Sequence, residues 1–241
     1  MYPLYYHTHH ARHTEDLLFW EALAQKQGGP ILELGCGTGR VLIPLRQKGY
    51  RVMGLDSDFT MLSFLCTTLG EVAAPVFQAD MAAFRLAELF SLILMPCNTL
   101  STLSVNDRRE TFARVREHLL PGGIFAASLP NPVTLASLPR RGEPETEENF
   151  LHPTDGEPVV VSSAWKRTAH HVTFTWHYDH LLPDGLVERI RAEARHELVP
   201  LEEYKVEMQT AGLKVTAIIG DFDYSPFTDD SPELIVLARS D

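Results

Sequence analysis

Apolar and polar positions follow two alternating patterns over the first 130 residues of the chain. Short apolar runs, which predict buried strands, lie at 30–34, 50–56, 74–80, 90–98 and 124–132. Between them, apolar residues recur at helical spacing, which predicts helices over 39–48, 58–70 and 106–123. Strands separated by helices, with apolar strand interiors, are typical of a parallel sheet that is covered on both faces.

The pattern changes after residue 130. Residues 131–158 are rich in proline, glycine and glutamate, which predicts a loop, whereas 159–199 shows three segments of alternating polarity. The sequence Pro-Asp-Gly at 183–185 joins two of them as a hairpin turn. A helix over 200–212 and two final strands then return to the first pattern. The sequence therefore predicts a doubly wound α/β core, residues 1–130 and 200–241, with an antiparallel β insertion at 131–199 that covers the active site.

Three glycines stand at alternate positions in the sequence ELGCGTGR, residues 33–40, directly after the first predicted strand. Glycine adopts positive φ and lets a ligand approach the backbone, and a following helix N-terminus exposes its N–H groups. A dinucleotide-binding turn has the spacing GxGxxG, with the third glycine packing the helix on the strand. Arg40 occupies that third position here, and its long side chain disturbs such close packing.

Acidic residues end the second and third predicted strands. Asp56, which Ser57 follows, can accept hydrogen bonds from both hydroxyls of a ribose in the crevice. Asp80 can accept from the amino group of adenine, and Met81 offers its backbone N–H and thioether to the ring. Each acid alone is more typical of a solvated loop carboxylate. Their order at consecutive strand ends, after the glycine turn, predicts a nucleoside site.

The sequences LELGCGTGR, GLDSDFTML, QADM and HLLPGG together resemble the class I S-adenosylmethionine-dependent methyltransferases. Within that family the chain is similar to bacterial small-molecule enzymes of the sugar-amine N-methyltransferase type. The resemblance implies a mostly parallel, seven-stranded Rossmann-like sheet whose last strand runs antiparallel, with the insertion before the sixth strand. It also implies S-adenosyl-L-methionine as the cofactor.

The resemblance implies roles for individual residues. Gly35 and Gly37 pass the methionine moiety, Asp56 binds the ribose, and the carbonyls near Met95 and Pro96 face the methionine ammonium. Glu33 supports the glycine turn or the cofactor's amino group, and Cys36 is a small buried residue within the turn. The residues expected to border the cofactor are Glu33, Gly35, Cys36, Gly37, Asp56, Ser57, Asp80, Met81, Met95 and Pro96.

The expected reaction is in-line displacement of the methyl group by a nitrogen or oxygen nucleophile of a small-molecule acceptor. Such a reaction depends mainly on alignment in a dry pocket, so no catalytic side chain is assigned. Four residues are candidates for the acceptor side. Tyr5 and Tyr6 form either an N-terminal lid or ordinary packing, Asn98 contacts substrate or caps a loop, and His177 is either a base or part of a solvated face.

Composition limits the partners. The formal net charge is −11, which argues against nucleic acid, and the absence of a long apolar run argues against a membrane span. The chain start lacks an apolar signal segment, which predicts a cytoplasmic protein. The histidine run at 7–13 lacks acidic or cysteine ligands at useful spacing, so no metal is expected. A monomer or homodimer is expected. An NAD-dependent oxidoreductase and a non-catalytic adenosylmethionine-binding regulator remain as alternatives.

Overall fold

The described part of the chain contains one sheet of seven strands and one of four. The computed structural model describes residues 2–69 and 74–240. The strands are β1 (Ile31–Leu34), β2 (Val52–Asp56), β3 (Val76–Gln78), β4 (Phe90–Met95), β5 (Leu119–Pro130), β6 (Arg141–Leu151), β7 (Pro158–Arg167), β8 (His171–Leu181), β9 (Val187–Glu197), β10 (Leu213–Ile219) and β11 (Glu233–Ser240). The helices are α1 (Tyr2–His10), α2 (Leu17–Gln27), α3 (Leu42–Gln47), α4 (Phe59–Leu69), α5 (Thr99–Thr102), α6 (Val105–His118), α7 (Pro132–Ser137) and α8 (Leu201–Thr210).

The seven-stranded sheet has the order β10-β11-β5-β4-β1-β2-β3. Strands β1 to β5 pair in parallel, and β11 runs antiparallel to both β10 and β5. The predicted α/β fold, with a mostly parallel seven-stranded sheet and an antiparallel last strand, is confirmed. Parallel order brings the carboxyl ends of β1, β2, β3 and β4 to one edge, where ligands bind in open α/β sheets.

Helices cover both faces of this sheet. On one face, Phe112 of α6 and Met208 of α8 are fully buried against the strands. On the other face, Trp20 of α2, Leu42 of α3 and Leu65 of α4 are fully buried. Since both faces of β1 are covered, all four of its residues are buried. This double burial explains why the central strands are continuous apolar runs in the sequence.

Two predicted boundaries differ from the structure. The helix predicted over 39–48 starts only at Leu42, because the turn residue Gly39 has a φ of +84°. The helix predicted over 106–123 ends at His118, and β5 begins at Leu119 before the Pro-Gly-Gly sequence. That sequence therefore lies within the start of the strand rather than at the end of the helix.

The four-stranded sheet has the order β6-β7-β8-β9, with all neighbours antiparallel. Its last three strands match the three predicted segments. The prediction of a loop over 131–158 is wrong, since this stretch contains α7 and β6. Strand β6 is an edge strand that is mostly exposed, buries only Phe150 and has two irregularities in its register. It therefore lacks the alternating apolar pattern by which strands are recognised.

The four-stranded sheet, called the insertion sheet below, contacts the core at the edge where β4 ends. His196 of β9 hydrogen bonds through Nδ1 to the hydroxyl of Ser101 in α5, at 2.8 Å, and α5 directly follows β4. His9 of α1 hydrogen bonds through Nδ1 to the hydroxyl of Tyr178 in β8, at 3.1 Å. Helix α1 and the insertion sheet thus enclose the carboxyl edge of the core. No helix in the described part of the chain is long and apolar enough to cross a membrane.

Candidate active site

The glycine turn is held against the end of β2. The backbone N–H groups of Gly35 and Cys36 both donate to the carbonyl of Leu55, at 2.8 and 3.0 Å. Gly35 and Gly37 have φ values of +71° and +51°, which only glycine adopts readily. A Cβ added at Gly37 would find only the Asp56 carboxylate within 4 Å, at 4.0 Å. The backbone at Gly37 therefore faces open space beside that carboxylate.

The other two glycines are required by packing. A Cβ at Gly35 would lie 2.9 Å from the side chain of Thr99 and 3.6 Å from the methyl group of Met81. A Cβ at Gly39 would lie 2.4 Å from a methyl group of Leu65. Since real Cβ contacts are never this short, Gly35 permits the approach of α5 and Gly39 permits that of α4. Of the three, only Gly37 leaves room that a ligand can fill.

Asp56 lies at the end of β2 and holds two backbone N–H groups. Its Oδ2 accepts from Gly37 at 2.8 Å, and its Oδ1 accepts from Asp58 at 2.9 Å. Burial raises the pKa of this carboxyl, and the backbone donors oppose the shift. The neighbouring Ser57 is exposed, and its carbonyl accepts from the Gln78 side chain at 3.0 Å. The structure thus brings Asp56 and the glycine turn together, as predicted.

Asp80 and Met81 follow β3, next along the same edge. Asp80 is exposed, and its Oδ1 accepts from the N–H of Ala82 at 2.8 Å. Met81 is 8% exposed and lies beside Gly35. Met81 therefore belongs to the wall of the turn, whereas Asp80 lies at the surface beyond it.

Glu33 is buried beneath the glycine turn, 2% exposed, and its Oε2 has no hydrogen-bond partner among the described residues. Burial raises its pKa to about 8, a shift that the Arg40 guanidinium opposes. Cys36 is also buried, with its sulfur against Gly54 of β2, and burial raises the pKa of its thiol. The Cys36 side chain is therefore packed into the core and is not a nucleophile.

The segment after β4 is strained. Cys97 and Asn98 both have left-handed backbone conformations, with φ of 59° and 63°, which is rare for residues other than glycine. Met95 before them is fully buried, and the carbonyl of Pro96 accepts from the Thr99 hydroxyl at 3.0 Å. This conformation directs the Cys97 and Asn98 side chains into the space between core and insertion sheet.

Two cavities adjoin at this segment. The first, of about 310 Å³, is lined by Tyr6, His10, His13, Glu15, Asp16, Arg40, Cys97, Asn98, Ser128, Phe222 and Glu233. The second, of about 420 Å³, is lined by Tyr2, Tyr6, His10, Cys97, Asn98, Thr99, Thr102, Pro130, Leu135, Glu147, Phe174, Trp176, Tyr178, Glu193, Ala194 and His196. Tyr6, His10, Cys97 and Asn98 border both. The second cavity, called the acceptor cavity below, lies between α5 and the insertion sheet.

Arg40 is a site residue that sequence reasoning missed. Its guanidinium forms two hydrogen bonds of 2.6 Å with the carboxylate of Asp16, donates to the carbonyl of His13, and lies 2.9 Å from the sulfur of Cys97. It thereby ties the segment before α2 to the glycine turn and to the end of β4. The only sequence signal was a basic residue at the position where a dinucleotide-binding turn has its third glycine.

Alternation along β8 decides which residues face the acceptor cavity. Phe174, Trp176 and Tyr178 line it, so the residues between them lie on the opposite face. Asp179 is on that opposite face, where it forms an ion pair of 2.6 Å with Arg189. The structure therefore places His177 away from the cavity, and its prediction as a base on the acceptor side is wrong.

His196 of β9 lies in the acceptor cavity instead. Its side chain is 7% exposed, and its Nδ1 lies 2.8 Å from the Ser101 hydroxyl. Burial lowers its pKa to about 4, so the imidazole is neutral at neutral pH. In the sequence it is one of several histidines in the insertion, and only the pairing of β8 with β9 shows that it faces inward.

The two N-terminal tyrosines have different surroundings. Tyr6 borders both cavities, and its role on the acceptor side stays a prediction. Tyr5 is 1% exposed and packs against Phe150, His152 and Tyr178 of the insertion. Tyr5 thus fixes α1 to the insertion sheet and does not line either cavity, which corresponds to the packing alternative and not to an acceptor-side role.

Comparisons with known proteins show what the chain is similar to. Residues 31–123, which contain the glycine turn, Asp56 and the strained segment, match the family model described as a methyltransferase domain. The structure superimposes with a TM-score of 0.76 on the CcbJ methyltransferase from Streptomyces caelestis, which is 25% identical, over 94% of this chain and 96% of that one. This chain contains a methyltransferase domain, at residues 31–123, and is similar in sequence and fold to known methyltransferases.

Two further proteins are similar to this chain. The cypemycin N-terminal methyltransferase of a Streptomyces species is 23% identical over 211 residues, which cover 87% of this chain and 82% of that protein. The fold also matches that of CalS10 from Micromonospora echinaspora, an amino pentose methyltransferase with S-adenosylmethionine bound. The TM-score is 0.74 at 20% identity, over 98% of this chain and 96% of that one.

The residues of the methyltransferase fit its methyl donor. The open position above Gly37 and the adjacent Asp56 carboxylate suit a methionine chain that leads to a ribose. The unpartnered Oε2 of Glu33 beneath the turn is an acceptor that a donor group or a water can satisfy. No lysine stands in the turn, which agrees with a ligand that has no phosphate at this position.

Replacing Asp56 with asparagine is expected to weaken binding of S-adenosylhomocysteine roughly 10- to 150-fold. The reason is loss of charge-assisted hydrogen bonds to the ribose, worth about 1.5–3 kcal/mol. Isothermal titration calorimetry measures the effect, with the exposed Asp223→Asn as the control. Equal affinity of Asp56→Asn and wild type would remove Asp56 from the donor site.

Glu33 is expected to make the donor-free methyltransferase less stable as the pH rises. Its pKa is about 8 when folded and near 4.5 when unfolded, so between these values the folded state holds one more proton. The contribution of Glu33 to the free energy of unfolding is therefore complete below pH 4.5 and is lost as the pH rises through 8. The slope is about 1.4 kcal/mol per pH unit.

The Glu33→Gln variant should lack this dependence of the free energy of unfolding on pH. The free energy of unfolding is measured with urea at about pH 6 and about pH 7.5. Between these two pH values, that of the wild type should fall by about 2 kcal/mol more than that of the variant. Identical changes in the two proteins would mean that Glu33 is ionised in the folded state.

Proposed function

We propose that this enzyme transfers the methyl group to an amine nitrogen of a small molecule that binds in the acceptor cavity. The observation that carries the proposal is the lining of that cavity, in which aromatic rings and Glu147 accompany Tyr6 and Asn98, two residues that also line the first cavity. The insertion, residues 131–199, supplies eight of the sixteen lining residues, among them Phe174, Trp176, Tyr178 and Glu147. We therefore assign acceptor recognition to the insertion and donor binding to the core, residues 1–130 and 200–241.

The cavity lining suits a cationic amine. Phe174 and Trp176 stack with their ring centroids 5.8 Å apart, and Tyr178 lies on the same face of β8. Oε2 of Glu147 accepts from the indole N–H of Trp176 at 3.2 Å, which brings a carboxylate to the edge of these rings. Aromatic faces and a carboxylate together attract an ammonium group. Glu193, also in the lining, is already paired with Arg191 and Thr175.

The names of the relatives agree with an amine acceptor. CalS10 is named an amino pentose methyltransferase, and the cypemycin enzyme is named an N-terminal methyltransferase. The size of the acceptor cavity, about 420 Å³, suits a sugar or another compact molecule. Its polar residues Glu147 and His196 also favour an enzyme over a non-catalytic regulator, whose substrate side would be closed or apolar.

S-adenosylmethionine supplies a methyl group on a sulfonium, whose sulfide leaves without needing a proton. We propose that Gly35 and Gly37 hold its methionine chain, Asp56 its ribose, and Asp80 with Met81 its adenine. The carbonyls of Met95 and Pro96 face its ammonium group. These residues fix the donor at the border with the acceptor cavity, and alignment of the two reactants in an enclosed site provides most of the rate enhancement.

One proton must leave the acceptor before or during transfer, because a protonated amine has no free electron pair. His196 is neutral, lies in the cavity wall and is held at Nδ1 by Ser101. We propose that its Nε2 receives this proton directly from the acceptor nitrogen. Ser101 is the positioning residue, since its hydroxyl fixes the tautomer and orientation of the ring.

The proposed acceptor class is tested with paired compounds. Wild-type enzyme and S-adenosylmethionine labelled with a trideuterated methyl group are incubated with amino sugars and with the same sugars carrying hydroxyl in place of the amine. Mass spectrometry should detect labelled product from the amino compounds alone. Labelling of only the hydroxyl compounds would overturn the amine assignment, and labelling of neither would place the acceptor outside this class.

A further inference from the structure

Three side chains converge at one end of the insertion sheet, outside both cavities. His152 directly follows β6, Asp155 lies in the turn before β7, and His180 lies near the end of β8. Oδ1 of Asp155 is 3.0 Å from Nδ1 of His152 and 3.3 Å from Nε2 of His180. One ligand atom from each residue lies within 4.8 Å of the other two.

We propose that His152, Asp155 and His180 bind a divalent transition-metal ion, of which zinc is the expected example. Two imidazoles and one carboxylate are a common ligand set for zinc. With metal–ligand bonds of about 2.0–2.1 Å, neighbouring ligands of a tetrahedral ion are about 3.3 Å apart. The two nitrogen–oxygen distances observed match that spacing, so the ion fits with little movement of the side chains.

Hydrogen bonds alone do not satisfy this arrangement. Oδ1 of Asp155 also accepts the backbone N–H of Glu157 at 3.0 Å, so three donors would have to share one oxygen that has two lone pairs. The two imidazole rings stack with centroids 4.3 Å apart, and His180 is buried, with its side chain 4% exposed. A cation between the nitrogens and the carboxylate explains why all of them point to one place.

The electrostatics favour this cluster over a second one. His9, His13 and Glu148 also approach one another, although the spacing of the N-terminal histidine run gave no sign of an acidic partner. There, Arg12 already pairs with Glu148, and Nδ1 of His9 is bound to the Tyr178 hydroxyl. At the His152–Asp155–His180 cluster, by contrast, the two histidines are the groups that pair with Asp155.

A bound ion at this position would tie α1 to the insertion sheet. The ring of Tyr5 packs against both imidazoles, with centroids 5.3 Å from His152 and 6.3 Å from His180. Fixing the two rings would therefore fix the surface on which Tyr5 lies. The ion stabilises the enclosure of the active site and takes no part in methyl transfer, so the inference does not depend on the proposed acceptor.

Zinc chloride is titrated into tag-free, chelator-treated protein by calorimetry, and unfolding is followed with and without zinc. The expected result is one ion per chain and a Tm increase of about 5 °C or more when free zinc is about 100 times the Kd. Asp155→Asn and His180→Gln should each bind zinc at least tenfold more weakly. Asp155 is exposed, so its substitution leaves the fold intact, which binding of S-adenosylhomocysteine verifies.

Two histidine variants outside the cluster serve as matched controls. His170→Gln, in the exposed turn between β7 and β8, and His13→Gln, in the second cluster, should bind zinc as wild type does. The proposal is overturned if wild type shows neither binding nor a Tm increase. It is also overturned if Asp155→Asn keeps full affinity, or if His13→Gln is the variant that loses it.

Discussion

Replacing Gly37 with valine is expected to abolish measurable binding of S-adenosylhomocysteine, an affinity loss of about 100-fold or more, in a chain that still folds. The structure leaves the space beside Gly37 open toward the Asp56 carboxylate, so the Cβ of a valine there would come no closer than 4.0 Å to that carboxylate, the only group within 4 Å. The valine side chain occupies the space through which the methionine chain passes to the ribose. The variant adds only local backbone strain, about 1–3 kcal/mol, because φ at Gly37 is +51°.

Gly49→Val is the matched control, because Gly49 also has a positive φ, +87°, with nothing within 4 Å of an added Cβ. It carries the same kind of strain away from the site and should bind S-adenosylhomocysteine normally. Gly39→Ala should instead lower stability, because its Cβ would collide with Leu65. Full affinity in a Gly37→Val protein that is folded by circular dichroism would show that no ligand approaches this backbone.

Replacing His196 with glutamine is expected to lower kcat about 10²- to 10⁴-fold with the best amine substrate. The reason is that no imidazole then receives the proton that leaves the amine. Glutamine keeps a hydrogen bond to Ser101 within reach, so the cavity should keep its shape. Since the pKa of His196 is about 4, its protonation should not lower the wild-type rate until the pH approaches 4. Donor affinity, measured with S-adenosylhomocysteine, should not change.

His177→Gln is the matched control, because His177 lies between the cavity-lining residues Trp176 and Tyr178 on β8 but faces away from the cavity. It should keep the wild-type rate and pH profile. Unchanged kcat in His196→Gln would show that the proton leaves by another route, such as water. Equal losses in both variants would indicate a general effect on the insertion sheet.

The core was predictable because its signals are local. Strands β1, β2 and β4 are covered on both faces, so nearly all of their residues are apolar and each strand is a continuous apolar run in the sequence. The glycine turn and Asp56 follow such runs directly. Parallel strands bring their carboxyl ends to one edge, and sequence order therefore predicted that the turn and this carboxylate would meet.

The insertion was less predictable because the position of each residue depends on contacts between distant parts of the chain. Strand β6 is an exposed edge strand whose many glutamates look like a loop. Along β8, alternation shows that His177 and Tyr178 face opposite sides, but only packing against α5 shows which side encloses the cavity. For the same reason His196, which contacts Ser101 from 95 residues away, had no signal in the sequence.

Arg40 illustrates a third case. Its position directly after the glycines was evident, and it argued correctly against a dinucleotide turn. Its partners were not evident, because Asp16 and Cys97 come from the segment before α2 and from the end of β4. A charged side chain in a turn can be recognised locally, but the charge that balances it is found only in the fold.

A crystal structure with S-adenosylhomocysteine bound tests the central claim, that one continuous site joins the glycine turn to the acceptor cavity. We expect the ribose hydroxyls to hydrogen bond to the Asp56 carboxylate and the methionine chain to lie over Gly37. The sulfur should point past Asn98 toward Trp176 and Tyr178. Density with the ribose away from Asp56, or with the sulfur directed away from the acceptor cavity, would contradict it.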